Sequence, residues 1–254
     1  VRYTLDETKW TNTSATLPGN IAYSQTAVIG DYVYLFGGQN ASGTALDVIY
    51  RAPVSNPTAW VNTGATLPGV LYTSRLAIIG DFVYLFGGRN ASNSTNVIYR
   101  APVSNPTSWT NTGATIPLSN ENSSLAIIGD YVYLFGGYNS NSGITLNNIY
   151  RAPLSNPTSW VDTGSTLPTT FSRSHSAVIG DYVYLFSGTT ANNTDANIVG
   201  TIYRAPLSNP LSWRNTGAAI PVGVRDSHIA IIGDYVYIFG GINSSGTALK
   251  TINR

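Results

Sequence analysis

Apolar residues along this chain come in short runs filled on both faces, separated by glycine, proline, serine and asparagine. Thr26-Ala27-Val28-Ile29 is one such run, and the Gly30-Asp31 pair after it suits a tight hairpin turn. The next run sets Tyr32, Tyr34 and Phe36 on one side of a strand and Val33 and Leu35 on the other. Side chains alternate along a strand, so both of its sides must be covered. Gly37-Gly38 ends it, where the backbone turns or meets a neighbour closely. A polar loop leads to a third strand around Val48-Ile49-Tyr50-Arg51, and Ala52-Pro53-Val54-Ser55-Asn56-Pro57 is turn chemistry. Trp60-Val61-Asn62-Thr63 opens a fourth strand. Helical spacing of apolar residues appears nowhere.

This unit repeats. The decapeptide Ile29 to Gly38 returns with small changes at Ile79 to Gly88, Ile128 to Gly137, Ile179 to Gly188 and Ile232 to Gly241. The glycines before its aspartates stand at 30, 80, 129, 180 and 233, in steps of 50, 49, 51 and 53. Trp10, Trp60, Trp109, Trp160 and Trp213 keep the same step. A period of this length marks a repeat architecture, and a four-stranded antiparallel meander of about fifty residues is the size of a propeller blade. The predicted fold is therefore all-β: one domain over 1–254, a five-bladed β-propeller of four-stranded blades. Arg51, Arg100, Arg151, Arg204 and Arg254 share one column, and Val1 falls in it too. Val1 to Pro18 is thus expected to supply the outer strand of the last blade, closing the ring and pairing an edge that would otherwise invite aggregation.

A glycine pair after an apolar run, followed by tyrosine and tryptophan at set distances, resembles the kelch repeat. Gly37-Gly38, Tyr50 and Trp60 fill those places, as do Gly87-Gly88, Tyr99 and Trp109, and Gly136-Gly137, Tyr150 and Trp160. The fourth copy has Ser187-Gly188 before Tyr203 and Trp213, and the fifth keeps Gly240-Gly241 but has Asn253 in place of tyrosine. The resemblance covers essentially the whole chain. It implies a propeller and leaves the ligand open, since kelch domains include binding modules and a few enzymes.

Composition narrows the function classes. Thirteen basic and twelve acidic side chains give a net charge of +1, without the basic cluster that nucleic acid or an anionic membrane surface calls for. No apolar run reaches the roughly 18 residues of a membrane span. Cysteine is absent, which excludes disulfides and thiol chemistry. No cofactor motif is visible. The Ser, Thr and Asn-rich surface suits an extracellular, cell-surface or virion protein, and a chain starting at Val1 is expected to be part of a longer one.

The five copies also disagree in an ordered way. In a four-stranded blade the first-to-second and third-to-fourth connections lie on one face of the disc, and these barely vary: Gly-Asp in all five copies, Arg-Ala-Pro-(Val/Leu)-Ser-Asn-Pro in four. The connections on the other face differ in every copy. Those entering the innermost strands read Ala22-Tyr23-Ser24-Gln25, Tyr72-Thr73-Ser74-Arg75, Glu121-Asn122-Ser123-Ser124, Ser172-Arg173-Ser174-His175 and Arg225-Asp226-Ser227-His228. Exposed loops drift when unconstrained. The constant-face loops are exposed too, and their uniformity favours a functional variable face.

Candidate ligand-binding residues around the channel mouth are therefore Tyr23, Gln25, Tyr72, Arg75, Glu121, Asn122, Arg173, His175, Arg225, Asp226 and His228. Converging guanidiniums from Arg75, Arg173 and Arg225 suit a carboxylate, sulfate or phosphate. Tyr23 and Tyr72 offer flat surfaces to a sugar ring, while Gln25 and Asn122 can serve its hydroxyls. His175 and His228 share a column, but no third metal ligand is evident. The expected function is non-enzymatic recognition of a glycan or other polar surface ligand, with preference for an acidic one. Two alternatives remain: a carbohydrate hydrolase or lyase using Glu121 or Asp226, for which paired-carboxylate chemistry needs two well-placed acids, and a structural or protein-interaction propeller of a viral tail or bacterial surface protein.

Overall fold

The computed structural model describes residues 13–254. Nineteen strands make up five antiparallel sheets among them, arranged as a five-bladed β-propeller. The first blade is β1 (Gln25–Ile29), β2 (Tyr32–Gln39), β3 (Ala45–Pro53) and β4 (Val61–Thr66). The second is β5 (Arg75–Ile79), β6 (Phe82–Phe86), β7 (Val97–Pro102) and β8 (Thr110–Thr115). β9 (Ser124–Ile128) to β12 (Val161–Thr166) form the third, with β10 (Tyr131–Asn139) and β11 (Ile144–Pro153) between. β13 (His175–Ile179), β14 (Tyr182–Thr189), β15 (Ile198–Pro206) and β16 (Arg214–Ala219) form the fourth. The fifth has β17 (His228–Ile232), β18 (Tyr235–Phe239) and β19 (Ile252–Asn253). Its expected fourth strand, and the ring closure built on it, fall largely on residues 1–12, outside the described residues. Residues 13–17 carry no regular secondary structure.

The two-faced apolar pattern has a direct consequence for packing. Tyr34 and Phe36 of the first blade pack against Val83 and Leu85 of the second, with Trp109 in the same cluster. Tyr84 and Phe86 meet Val132 and Leu134 in the same way, and Tyr133 and Phe135 meet Val183 and Leu185. The aromatic side of each second strand thus fits the aliphatic side of the next, and the core is a series of inter-blade sandwiches. Three tryptophans reach back one blade: Phe36–Trp109, Phe86–Trp160 and Phe135–Trp213 are edge-to-face at 4.9–5.0 Å between centroids. Such pairs add about 0.5–1.5 kcal/mol beyond burial. The arginine column is structural as well, each guanidinium lying 4.4–4.9 Å from the centroid of the ring that starts the second strand.

The glycine pair behaves differently from the sequence expectation. In the first and third blades the second strand runs on through it as a bulge, to Gln39 and Asn139. A Cβ on Gly37 would lie 2.1 Å from the Leu71 carbonyl oxygen of the next blade, so the residue is glycine because two main chains meet there. In the fourth blade Ser187 occupies this place, at φ 46°. Its hydroxyl donates to the Val224 carbonyl at 2.6 Å and accepts from the Val224 N–H at 2.7 Å, so a side chain bridges that seam.

Candidate functional site

The innermost strands β1, β5, β9, β13 and β17 stand next to one another in order around the axis. At their entry the second position of each variable tetrapeptide takes a left-handed backbone: Tyr23, Thr73, Asn122, Arg173 and Asp226 have φ of 53–58°. None is glycine, and a left-handed L-residue costs about 1–2 kcal/mol. The reason for the geometry is a belt of main-chain bonds between blades. Thr73 N–H donates to Tyr23 C=O at 3.1 Å, Asn122 N–H to Thr73 C=O at 3.2 Å and Arg173 N–H to Asn122 C=O at 2.8 Å. These bonds fix the backbone at Tyr23, Thr73, Asn122 and Arg173, and all five side chains line the mouth cavity.

The position before this turn faces elsewhere. Ala22, Tyr72, Glu121, Ser172 and Arg225 are each bridged in antiparallel fashion to the loop after the glycine pair of their own blade. The eleven candidate residues therefore separate. Tyr23, Gln25, Arg75, Asn122, Arg173, His175, Asp226 and His228 line one cavity of about 460 Å³ at the mouth, to which all five repeats contribute. Tyr72 and Glu121 line a neighbouring cleft of about 200 Å³ with Tyr23, Arg89 and Asn193. Tyr23 and Tyr72 lie on the shared lip, with ring centroids 6.5 Å apart. Arg225 turns from the mouth into the seam between the fourth and fifth blades.

The cleft is internally satisfied. Glu121 is 3% exposed, and its carboxylate accepts from Ser94 Oγ at 3.1 Å, Thr73 Oγ1 at 3.3 Å and Arg89 Nη1 at 3.5 Å. Burial raises its pKa above the ordinary 4.5, against the pull of Arg89 and the two hydroxyls. Burial also raises that of the Tyr72 phenol. Arg89, which reads in the sequence as an ordinary surface residue, is thus the counter-ion of a buried acid.

The mouth is less evenly balanced. Asp226 takes a close hydrogen bond from Arg225 Nη1, and Arg173 Nη1 stands 3.5 Å from the same carboxylate. Arg225 Nε binds Asp195 at 2.5 Å. Burial opposes the Arg225 charge, but the bonds and attraction from Asp195 and Asp226 outweigh it and raise its pKa. Asp195 comes from the irregular β14–β15 loop, in short 3₁₀ turns that no other repeat has among the described residues. That loop's partnership with Arg225 left no periodic trace in the sequence. Arg75 differs from the other arginines. Its Nε donates to the Ser123 carbonyl of the next blade, and no carboxylate pairs with it among the described residues.

Glu121 and Asp226 open onto different cavities, so they are not arranged as the flanking pair that glycosidic hydrolysis requires. No group of three His, Asp or Glu side chains suited to a metal ion occurs among the described residues. The chain matches no protein-family model and no curated protein sequence.

Proposed function

We propose that this propeller is a kelch-type recognition module that binds an acidic glycan at its variable face and works outside the cell, on a cell surface or a virion. The observation that supports it is the concentration of sequence difference around one cavity. The five repeats share strands, turns and core, and they diverge at the positions whose side chains the inter-blade belt turns to the axis. The lining suits a sugar: Tyr23 is 43% exposed at the lip as a stacking surface, and Gln25 and Asn122 are hydroxyl partners. Cationic side chains favour an acidic sugar over its neutral counterpart.

A glycan array read with the whole chain tests this. Binding to sialylated or uronate-containing glycans, weakening as salt rises, is the expected result. Tyr23→Ala and Arg173→Ala should each weaken it by about 1–3 kcal/mol, on the scale of a lost stacking face or charged hydrogen bond. Equal affinity for charged and neutral glycans defeats the acidic preference, and a partner captured in the presence of excess sugar favours protein interaction instead.

A further inference from the structure

Beneath the mouth the channel narrows to a shaft whose polar side chains are unevenly matched. A cavity of about 190 Å³ is lined by Gln25, Arg75, Ser124, Ser174 and His175 with Leu76, Leu125 and Ser176. Arg75 and His175 line the mouth cavity as well, so the two spaces meet at these side chains. The Ser124 hydroxyl donates to the Ser174 carbonyl at 2.8 Å and pairs with the Ser174 hydroxyl at 2.7 Å. Arg75 spends its Nε on a main-chain carbonyl, and its Nη1 reaches another only at 3.5 Å. His175 Nε2 is buried and has no hydrogen-bond partner. A guanidinium has donors only, whereas the neutral imidazole gives its one N–H to the Ser227 backbone and leaves Nε2 as an acceptor.

Charge counting gives the same picture. Arg75, Arg89, Arg173 and Arg225 face Glu121, Asp195 and Asp226: four cations against three acids, of which Arg89 and Glu121 form one pair and Arg173, Arg225, Asp195 and Asp226 a balanced four. The unmatched charge is Arg75. Asp226 is the one carboxylate that acts on it, and that acid is already held by two other arginines. Below the layer the shaft turns apolar. Val28, Ile78, Ile127, Val178 and Ile231, one per innermost strand, keep 40–61% exposure while the neighbouring Ala27, Ile29, Ala77, Ile79, Ala126 and Ile128 are buried between blades. An ion can be stabilised at the Arg75 level and not deeper, and its way in is the variable face.

We propose that the Arg75 layer of the shaft is an anion site that takes a single small anionic group, a carboxylate or a halide of similar size, in contact with the Arg75 guanidinium. This deepens the recognition reading and rests on it in one respect, that the carboxylate of a ligand seated at the mouth is the group that reaches down to Arg75. Burial supports the assignment: it lowers the Arg75 pKa to about 10 and, with the charges of Arg75 and His228, that of His175 to about 3. The Arg75 guanidinium lacks the counter-charge that an anion supplies, and His175, neutral at pH 7, adds no charge of its own.

Chloride-35 line broadening on the whole chain measures the site without any glycan. Broadening by the wild type should be relieved by acetate, and affinity should fall on the order of tenfold or more in Arg75→Gln, as for a lost charge-assisted hydrogen bond. Arg214→Gln, at an exposed position of the outer strand β16, should broaden chloride as the wild type does. Arg75→Lys keeps the charge without the planar fork and should weaken chloride severalfold, which keeps the test valid if Arg75→Gln does not fold. Equal broadening by wild type, Arg75→Gln and Arg75→Lys overturns the site. A chloride site present in a chain that shows no acidic-glycan preference means that the recognition reading has failed and the anion site stands. Undiminished acidic-glycan binding by folded Arg75→Gln, with chloride lost, shows that the ligand's carboxylate docks elsewhere and overturns that link.

Discussion

The cleft around Glu121 buries one charge and the shaft around Arg75 half-buries another, with opposite accounts of what surrounds it. Glu121 has a guanidinium and two hydroxyl donors, from Arg89, Ser94 and Thr73 of the second repeat. Arg75 has carbonyl oxygens and no carboxylate of its own. A buried charge with its partners in place is part of the scaffold, and removing either side leaves the other uncompensated. A buried charge without one is a standing cost that a ligand can relieve. Burial alone therefore does not tell structure from function here; the count of partners does.

Glu121→Ala should break the comparison hardest. It strands Ser94, Thr73 and Arg89 and opens a void, and we expect a loss of about 2–4 kcal/mol in urea denaturation, the range for a broken buried network. Arg75→Gln should go the other way in anion-poor buffer, leaving stability unchanged or raising it by up to about 1 kcal/mol, since an unpaired buried charge is removed. If the arginine variant loses as much as the glutamate one, Arg75 has a partner and the distinction fails.

The pH dependence sharpens the same contrast. His175 has a depressed pKa, near 3 against an ordinary 6.5, with Arg75, His228 and the Ser227 backbone around it. Its contribution to stability is complete above pH 6.5 and is lost as pH falls towards 3. Glu121 has a raised pKa, so its contribution is complete below about 4.5, the ordinary value, and is lost as pH rises past it. Denaturation midpoints between pH 3 and 7.5 should show a shallower acid slope in His175→Leu and a flatter rise-side slope in Glu121→Gln. Unchanged slopes in both variants would leave the two sites indistinguishable. The smallest effect belongs to the constant face, where Asn56→Ala should cost within about 0.5 kcal/mol as an ordinary surface change and leave glycan and chloride binding as they were.

The blades were legible in the sequence because each strand recurs in register, and a pattern filled on both faces can only be buried between neighbours. Diversity singled out the loops that enter the innermost strands, and residues of all five line one cavity. Tyr72, Glu121 and Arg225 stand outside the lining of the mouth cavity because each precedes a left-handed residue, a conformation that Asn122 and Asp226 favour as residue types and Thr73 does not. Arg89 and Asp195 were missed because their partners lie in other blades, at spacings with no periodic signal. Ser187 carries a signal of its own, as the one departure in the glycine column, and it marks the seam where a hydroxyl links two main chains.

The inter-blade belt separates what holds the rim from what the rim displays. Main-chain atoms alone set the backbone at Tyr23, Thr73, Asn122 and Arg173, so exchanging those side chains leaves the hydrogen bonds that shape the turn in place. Five positions can then be rewritten as letters in a fixed frame, and a new specificity needs a handful of codon changes and no new fold. Asparagine, which tolerates the left-handed region best among non-glycine residues, is the natural blank: a chain with Asn at all five positions would keep the frame and spell nothing, the starting point for selecting a ligand at will.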